Sequence, residues 1–423
     1  MRFPAFSLGL VVPVALTLAA GCSDASGGSG VTGGSGANGG SSNGSGASGG
    51  SDSSGGSLGI GNNGGGGNDS GGGGGVLQGE PPCNPADVNA DGDGDGWTTA
   101  QGDCNDCTAE MNPGAYDYPG NNVDDDCDGT KDNEPLNCDS GQLAINSTYP
   151  GDALTAVDLC RAQNGDSWGV VAVEYLKADQ SPGMNELSHG LLPKFGAATP
   201  RAGNTFLALS SGTARDSNQQ GFRSPAGDLL GVDMGTTSGT PGGFPVASPS
   251  CPQAPNPSQV ANDPAALRLR IRVPTNANAI RFDFMFYTYE FPAWICSEYN
   301  DFFVALMDPA PEGAISGNVS FDNQGNPVSV NNGYLEVCKA QTAGGKNFDC
   351  PQGTGLLQGT GYEPGASTGW LQTIAPVTPG TEVTLMFAIW DAGDHVLNST
   401  AIIDNITFDV TDSSVPVTEP PPK

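Results

Sequence analysis

Residues 91–97, DGDGDGW, place three aspartates at alternate positions among glycines that allow sharp turns. Calcium loops of the EF-hand kind bind one ion through carboxylates at positions 1, 3 and 5 and a carbonyl at position 7. With Asp91 as position 1, the run supplies this first half of a calcium loop. Position 12, where an EF-hand needs a bidentate glutamate, is Gly102, so the sequence excludes a true EF-hand.

More acids follow in the same segment, residues 83–139, which contains Lys131 as its one basic residue and no histidine. Hard cations prefer carboxylate and carbonyl oxygens, whereas copper and zinc prefer imidazole and sulfur. We therefore predict calcium as the cofactor, with an acidic turn that binds no ion, or a transition metal, as the alternatives. The predicted ligands of this unit are Asp91, Asp93, Asp95, Asp103, Asp106, Asp124, Asp126 and Asp128.

The order of these acids within residues 89–133 follows a pattern of four motifs. The motifs are D-x-D-G-D-G, G-D-C-x-D, P-G-A and D-x-x-C-D-G, found here at Asp91 to Gly96, Gly102 to Asp106, Pro113 to Ala115 and Asp124 to Gly129. This stretch resembles the MopE-like metal-binding repeat of bacterial surface proteins. The family carries a cysteine shortly after P-G-A that is missing here. If Cys107 replaces it, the disulfide pattern of the repeat is shifted.

The first residues predict export. Arg2 precedes the short apolar run FSLGLVVPVALTLAA, which is too short to span a bilayer. The following LAAGC, residues 18–22, resembles a bacterial lipoprotein signal, which implies that residues 1–22 are a signal and that Cys22 is lipidated. An ordinary secretory signal is the alternative. The resemblance predicts a chain anchored in the cell envelope, at the outer-membrane surface, with the membrane as a partner through the lipid.

Export into an oxidising compartment predicts disulfides. Ten cysteines remain after Cys22, and an even number is consistent with five bridges. Five of the ten precede residue 140 and five follow residue 159, so at least one bridge joins the two groups if all are paired, and Cys138–Cys160 is the shortest candidate. The ten are Cys83, Cys104, Cys107, Cys127, Cys138, Cys160, Cys251, Cys296, Cys338 and Cys350.

Composition divides the 423 residues further. Residues 23–79 are almost pure glycine, serine and asparagine, which predicts a disordered tether. Residues 83–139 have few large aliphatic residues and need disulfides or metal to hold a fold. Residues 143–411 carry the β pattern, and residues 412–423 form a proline-rich tail. The formal net charge of −31 argues against nucleic acid as a partner.

Alternation of apolar and polar residues predicts a mainly β fold, a jelly-roll-like β-sandwich preceded by the acidic unit and the tether. In residues 266–273, leucine, isoleucine and valine alternate with three arginines. The predicted strands are 169–176, 204–210, 266–273, 279–290, 301–307, 317–322, 381–391 and 400–411.

Three of these strands place one carboxylate on their core-facing phase, namely Glu290, Asp391 and Asp404. A buried carboxylate is costly unless it is paired or bound to metal. If the strands bring the three acids to one end of the sandwich, they form a cation site, with Asp301 and Asp394 as additional ligands. The alternatives are that each strand has already left its sheet or that the acids cap backbone N–H groups of loops.

The same region carries three longer signatures at residues 279–308, 319–332 and 387–408. These segments, AIRFDFMFYTYEFPAWICSEYNDFFVALMD, VSFDNQGNPVSVNN and FAIWDAGDHVLNSTAIIDNITF, resemble the choice-of-anchor L domain of bacterial surface proteins. The resemblance spans roughly residues 143–411 and implies an extracellular β-rich domain. It implies no particular activity.

These observations predict a calcium-stabilised, non-enzymatic surface lipoprotein that acts in adhesion, matrix or envelope architecture. A glycan-binding module is the alternative, with Trp294, Tyr299, Trp370 and Trp390 as candidates for sugar stacking, and a protein partner also fits. A hydrolase is the second alternative, although the chain lacks a G-x-S-x-G turn. His395, beside Asp394, is interpreted as a loop residue rather than a catalytic base.

Overall fold

The computed structural model describes residues 87–226, 232–411 and 413–422. The predicted signal, the predicted lipidation site Cys22, the predicted tether and Cys83 lie outside these residues. Within the described ranges, no helix is both long and apolar enough to cross a membrane.

Antiparallel strands make up most of the regular structure, as the alternating sequence pattern predicted. One short helix, α1, covers Pro150–Ala156. The strands are β1 Gly169–Leu176, β2 His189–Leu192, β3 Phe206–Ser210, β4 Thr237–Gly239, β5 Val260–Arg272, β6 Ala279–Thr288, β7 Phe302–Asp308, β8 Val328–Ser329, β9 Gln341–Ala343, β10 Lys346–Phe348, β11 Ala366–Ser367, β12 Leu371–Pro376, β13 Glu382–Ala392, β14 Ser399–Asp409 and β15 Val417–Glu419.

The strands form two larger sheets and one hairpin. The six-stranded sheet has the order β1-β5-β13-β7-β8, with β4 also paired to β5. The seven-stranded sheet has the order β15-β12-β6-β14-β3-β2, with β11 also paired to β6. Strands β9 and β10 form the separate hairpin. This arrangement confirms the predicted mainly β fold.

The core lies between the two large sheets. Phe282 of β6 packs edge-on against Phe387 of β13, with ring centroids 4.9 Å apart. Phe284 of β6 contacts Phe303 of β7 across 5.1 Å. All four rings are fully buried, and burying a phenylalanine side chain contributes about 2–3 kcal/mol. These contacts join strands of opposite sheets and so hold the two sheets together.

Some predicted and observed strands differ. Residues 317–322 form isolated bridges at Asn318 and Phe321 rather than a strand. The proline-rich tail contains β15, which pairs with β12 at the edge of the seven-stranded sheet. Pro416 and Pro420 flank this strand, and proline is tolerated at a sheet edge because its missing N–H can face solvent.

The acidic unit packs onto the sandwich. Its Tyr116 enters the main core, where its ring lies 5.6 Å from that of Trp168 and 5.8 Å from that of Phe408. The side chain of Asn276 accepts from the Tyr116 backbone N–H and donates to its carbonyl. The sandwich therefore supplies apolar surface that this unit lacks.

Disulfides hold the unit internally and to the sandwich. Cys104 pairs with Cys127 inside the unit, and Cys107 is also disulfide-bonded. The bridge between Cys138 and Cys160 joins the two halves of the chain, as the sequence favoured. Two further bridges tie sandwich loops, namely Cys251–Cys296 and Cys338–Cys350.

Candidate metal centres

The first acidic loop, residues 91–106, folds around its own carboxylates. Asp91 accepts backbone N–H groups from Gly94 and Gly96, and Asp95 accepts from Trp97. Gly94 and Gly96 have φ of 86° and 94°, a left-handed conformation that glycine adopts without strain. The aspartate–glycine alternation therefore creates a tight turn with its carboxylates on the inside.

Two later aspartates close this loop in place of the absent glutamate. Asp106 accepts the Gly92 N–H at 2.8 Å, and Asp103 accepts the Asn105 N–H. Carboxylate oxygens of Asp93, Asp103 and Asp106 lie within 4.8 Å of one another, as do those of Asp91, Asp93 and Asp95. Oxygens that bind one calcium ion are at most about 5 Å apart, twice the Ca–O distance.

Four oxygens of this loop are buried and find no hydrogen-bond partner among the described residues. They are the Oδ2 atoms of Asp93, Asp95, Asp103 and Asp106. Asp103 is 2% exposed and Asp106 is fully buried. Buried polar atoms normally have a partner, so these free oxygens fit a bound cation, for which those of Asp93, Asp103 and Asp106 lie close enough together.

Burial and mutual repulsion leave these carboxylates in an unfavourable state when no cation is bound. Desolvation, together with the charges of Asp93 and Asp103, raises the pKa of Asp95 to about 6. The pKa values of Asp93 and Asp103 are also raised, first by burial and then by neighbouring aspartates. A divalent cation would offset both effects.

The second acidic loop, residues 124–133, repeats the hydrogen-bond pattern of the first. Asp124 accepts from Asp128 and Gly129, as Asp91 does from Gly94 and Gly96. Asp126 Oδ1 accepts the Asp128 N–H, as Asp93 Oδ1 accepts the Asp95 N–H. Carboxylate oxygens of Asp124, Asp126 and Asp128 lie within 4.8 Å of one another.

The two loops differ in what their remaining oxygens contact. Asp126 Oδ2 accepts from Arg161 Nη1 at 2.9 Å, and Asp128 Oδ2 accepts from Asn133 Nδ2 at 2.8 Å. Although burial raises the pKa of Asp128, the hydrogen bonds from Asn133 and Thr130 bring it below its usual value. The second-loop equivalents of the unpartnered Asp93 and Asp95 oxygens therefore have protein donors.

At one end of the sandwich, the structure brings together four of the five acids that the strand pattern singled out. Glu290 follows β6, Asp301 directly precedes β7, and Asp391 is in β13; all three are buried. Asp394 is half-buried after β13, and its charge acts on the other three.

Asp404 does not join this group, so the prediction that it shares their site is wrong. In the antiparallel register, Ser399 lies opposite Thr288 whereas Asp404 lies opposite Asp283. Five residues of strand separate these positions by about 16 Å. Asp404 instead accepts the backbone N–H groups of Arg201 and Ala202, which is the capping alternative.

A cluster that the sequence did not predict lies near this end. His395 Nδ1 is 3.1 Å from Asp263 Oδ2 and 3.6 Å from Asp233 Oδ1. Both oxygens of Asp263 already accept hydrogen bonds, from Met234 and Thr236. A β-bulge in the pairing of β5 with β13, beside Asp391, directs the Asp263 side chain toward the loop that holds His395. Alternation patterns in the sequence cannot reveal a bulge, so they do not predict this cluster.

The four aromatic residues considered for sugar stacking have different environments. Trp390 is 0% exposed and stacks on Phe302 in the interior, so it cannot contact a glycan. Trp370 packs against Phe206. Trp294 is 39% exposed and meets Tyr299 edge-on, with ring centroids 4.9 Å apart.

Comparison with known proteins gives one match, which lies in the sandwich. The chain matches no curated protein. Residues 254–409, which include β5 through β14 and the acids at the sandwich end, match the family model of the Choice-of-anchor L domain, and this match indicates a cell-surface protein.

Proposed function

We propose that this chain is a calcium-stabilised, non-enzymatic cell-surface lipoprotein that serves in adhesion, matrix or envelope architecture. The Choice-of-anchor L match supports the cell surface. In this proposal, a lipid on Cys22 attaches the chain to the envelope, and residues 23–79 hold the folded part away from the membrane.

The observation that carries the calcium proposal is the set of four unpartnered Oδ2 atoms in the first loop. Calcium binds six to eight oxygens at 2.3–2.6 Å, which four carboxylates, a carbonyl and water can supply. Imidazole and free thiolate are absent from the described part of this unit, since its described cysteines are disulfide-bonded. That donor chemistry favours calcium over copper or zinc.

Calcium in this loop would rigidify the connection between the tether and the sandwich. Few apolar residues of the acidic unit are buried, namely Ala115, Tyr116 and Val123. Its fold therefore depends on disulfides, on docking through Tyr116 and on relief of repulsion among its acids. A bound divalent ion supplies the last of these.

Calcium binding by the full chain and an Asp106→Asn variant tests this proposal. Isothermal titration after removal of metal should show loss of one bound calcium per chain in the variant, because Asp106 contributes a fully buried oxygen. Asp166→Asn is the matched control, since Asp166 is exposed and outside every cluster. Equal calcium binding by the wild-type chain and Asp106→Asn would refute the assignment.

A glycan-binding function is the second candidate, and the exposed Trp294 beside Tyr299 is the observation that favours it. Aromatic faces on a surface loop can stack on sugar rings. A Trp294→Ala variant that loses binding to an oligosaccharide array, while keeping its melting temperature, would support it. Absence of array binding by the wild-type chain would count against it.

A further inference from the structure

A polar cavity lies among the disulfide-tied loops of the sandwich, and none of its lining residues belongs to the acidic unit. Its volume is about 630 Å³, within the range of about 300–1,000 Å³ that is usual for small-molecule sites. Strand β10 supplies one part of the wall, and the irregular segment 322–333 supplies another. Five amide side chains line it, namely Gln324, Asn326, Asn331, Asn332 and Asn347.

The buried carboxylate of Asp322 fixes the amide-rich part of the wall. It accepts the backbone N–H groups of Gln324, Asn326 and Gly333, and also the Asn326 side-chain N–H. Residues 322–333 contain only the two-residue strand β8, so these hydrogen bonds replace strand pairing over most of the segment. The wall is therefore formed before a ligand arrives, which lowers the entropic cost of binding.

Disulfides and one lysine hold the other sides of the cavity. Cys350 lines it and is bridged to Cys338. Lys346 Nζ donates to Ser250 Oγ at 2.9 Å and contacts Cys251 Sγ at 3.3 Å. Because Cys251 belongs to a second bridge, this contact ties β10 to another cross-linked loop.

Asn331 offers a hydrogen-bond donor that the protein does not use. Asn331 is 3% exposed, and its Oδ1 accepts the Cys296 N–H at 2.7 Å, which fixes the orientation of the amide. Its Nδ2 donates to no group of the described chain and is not among the atoms sealed in the interior. The Gln324 side chain and the Asn347 Nδ2 likewise make no hydrogen bond with described residues. These groups are available to a ligand in the cavity.

The lining is complementary to an uncharged ligand that is rich in hydroxyl groups. A primary amide both donates and accepts hydrogen bonds, as a sugar hydroxyl does. Among the lining residues, Lys346 is the one basic group beside the acids Glu336 and Asp349, so the net charge is small. Phe348 is half-buried, held edge-on by Phe291 with ring centroids 5.1 Å apart, and supplies apolar surface for the C–H face of a sugar ring.

We propose that this cavity binds a neutral oligosaccharide. Gln324, Asn331 and Asn347 donate or accept hydrogen bonds with its hydroxyl groups, and one sugar ring packs on Phe348. The inference rests on the second candidate function, glycan binding, and assigns that function to the amide-lined cavity instead of the exposed Trp294. It does not depend on calcium in the acidic unit.

An array of neutral and acidic oligosaccharides, incubated with the full chain, tests the ligand class. Neutral oligosaccharides are expected to bind. No binding, or binding of acidic oligosaccharides alone, would overturn the proposal.

Titration of the best neutral ligand into variants tests the place of binding. Asn331→Asp keeps an oxygen for the Cys296 N–H but removes the free donor, and Gln324→Ala removes an exposed side chain that makes no contact needed for folding. Each variant should bind about tenfold more weakly, the effect of losing one or two hydrogen bonds. Asn323→Ala is the matched control, because Asn323 is exposed, adjacent to Gln324 and outside the lining.

The outcomes separate this site from the other proposals. Wild-type affinity in both cavity variants, or equal weakening in the Asn323→Ala control, would overturn the cavity site. Weakening in Trp294→Ala alone would leave glycan binding standing but place it on the exposed loop. If Asn331→Asp melts at a lower temperature than wild type, Gln324→Ala decides the result. Calcium titration of the same variants should match wild type, so failure of the calcium proposal is measured independently.

Discussion

Arg161 donates from Nη1 to Asp126 Oδ2 across 2.9 Å and so places a guanidinium where the equivalent oxygen of the first acidic loop, Asp93 Oδ2, has no partner. The same Nη1 lies 3.1 Å from Glu134, and the guanidinium covers the Trp168 ring at 4.9 Å from its centroid. One arginine from the sandwich side of the chain thus partly neutralises the second loop and docks it.

Replacing this arginine should destabilise the docked unit. In Arg161→Gln, the buried carboxylate of Asp126 loses its partner, which costs about 3 kcal/mol. Urea unfolding of the full chain measures the loss. The matched control is Arg270→Gln, whose pair with Glu382 is half-exposed on both sides and should contribute under about 1 kcal/mol.

Calcium should partly rescue Arg161→Gln. Without the guanidinium, the second loop resembles the first, so we expect the variant to bind one additional calcium ion and to recover part of its lost stability. A variant as stable as wild type without calcium, or one with no gain in bound calcium, would contradict the proposed equivalence of the loops.

Asn276 should be a second determinant of docking. Its side chain makes hydrogen bonds with the Tyr116 N–H, the Tyr116 carbonyl and the Glu110 carbonyl, so Asn276→Ala leaves buried backbone groups unpaired. The expected loss is about 2 kcal/mol, read from denaturant unfolding. Asn164→Ala, an exposed control, should change stability by less than about 0.5 kcal/mol. Equal stability of both variants would argue against a docking role for Asn276.

The bridge between Cys138 and Cys160 should stabilise the whole chain. It closes a loop with a sequence separation of 22 residues, for which the chain-entropy model gives about 3 kcal/mol. The double variant Cys138→Ser, Cys160→Ser is therefore expected to unfold at lower urea and to release the acidic unit to limited proteolysis first. Simultaneous cleavage of unit and sandwich would contradict this order.

Asp404 should make stability depend on pH. Burial raises its pKa to about 7 despite backbone hydrogen bonds, and the nearby Asp158 adds repulsion. Burial likewise raises the pKa of Asp158 to about 6, with Asp139 as the next cause. Arg201 lies beside this group, since its backbone N–H donates to Asp404, but its guanidinium Nε contacts Asp283 at 2.7 Å.

The direction of this pH dependence follows from the number of protons that the folded and unfolded chains bind. Between the ordinary aspartate pKa and about 7, the folded chain holds more protons at Asp404 than the unfolded chain. This contribution to stability therefore decreases as pH rises through that window. Asp404→Asn should be less pH-dependent than wild type between pH about 4 and 7. Parallel stability curves for the two proteins would contradict the raised pKa.

Alternation over many residues predicts the long strands β6, β13 and β14 well, whereas β5 begins at Val260, six residues before its predicted start at residue 266. Strands β6, β13 and β14 were placed within about two residues of their observed ends. The short strands β8 and β11 have two residues each and are defined by pairing with distant segments. No periodic pattern can be read from two residues, so these strands were not predicted.

Prediction of the candidate sites has the same limit, because partners that are distant in sequence leave no local pattern. Spacing along the chain predicted the acids of the first loop, because ligands close in sequence form a local turn. The part played by Arg161 was missed, since its partner Asp126 is 35 residues away. Asp404 was misplaced because alternation predicts the face of a strand but not the register, and a bulge follows at Asn405, whose φ is 54°.

The central claim is that calcium stabilises this chain, and thermal unfolding of the full, disulfide-intact protein in calcium and in chelator tests it most directly. We expect a melting temperature that falls clearly on chelation, returns when calcium is restored, and responds less to magnesium, which demands near-ideal octahedral geometry. An unchanged melting temperature, together with no calcium in the purified chain, would contradict it.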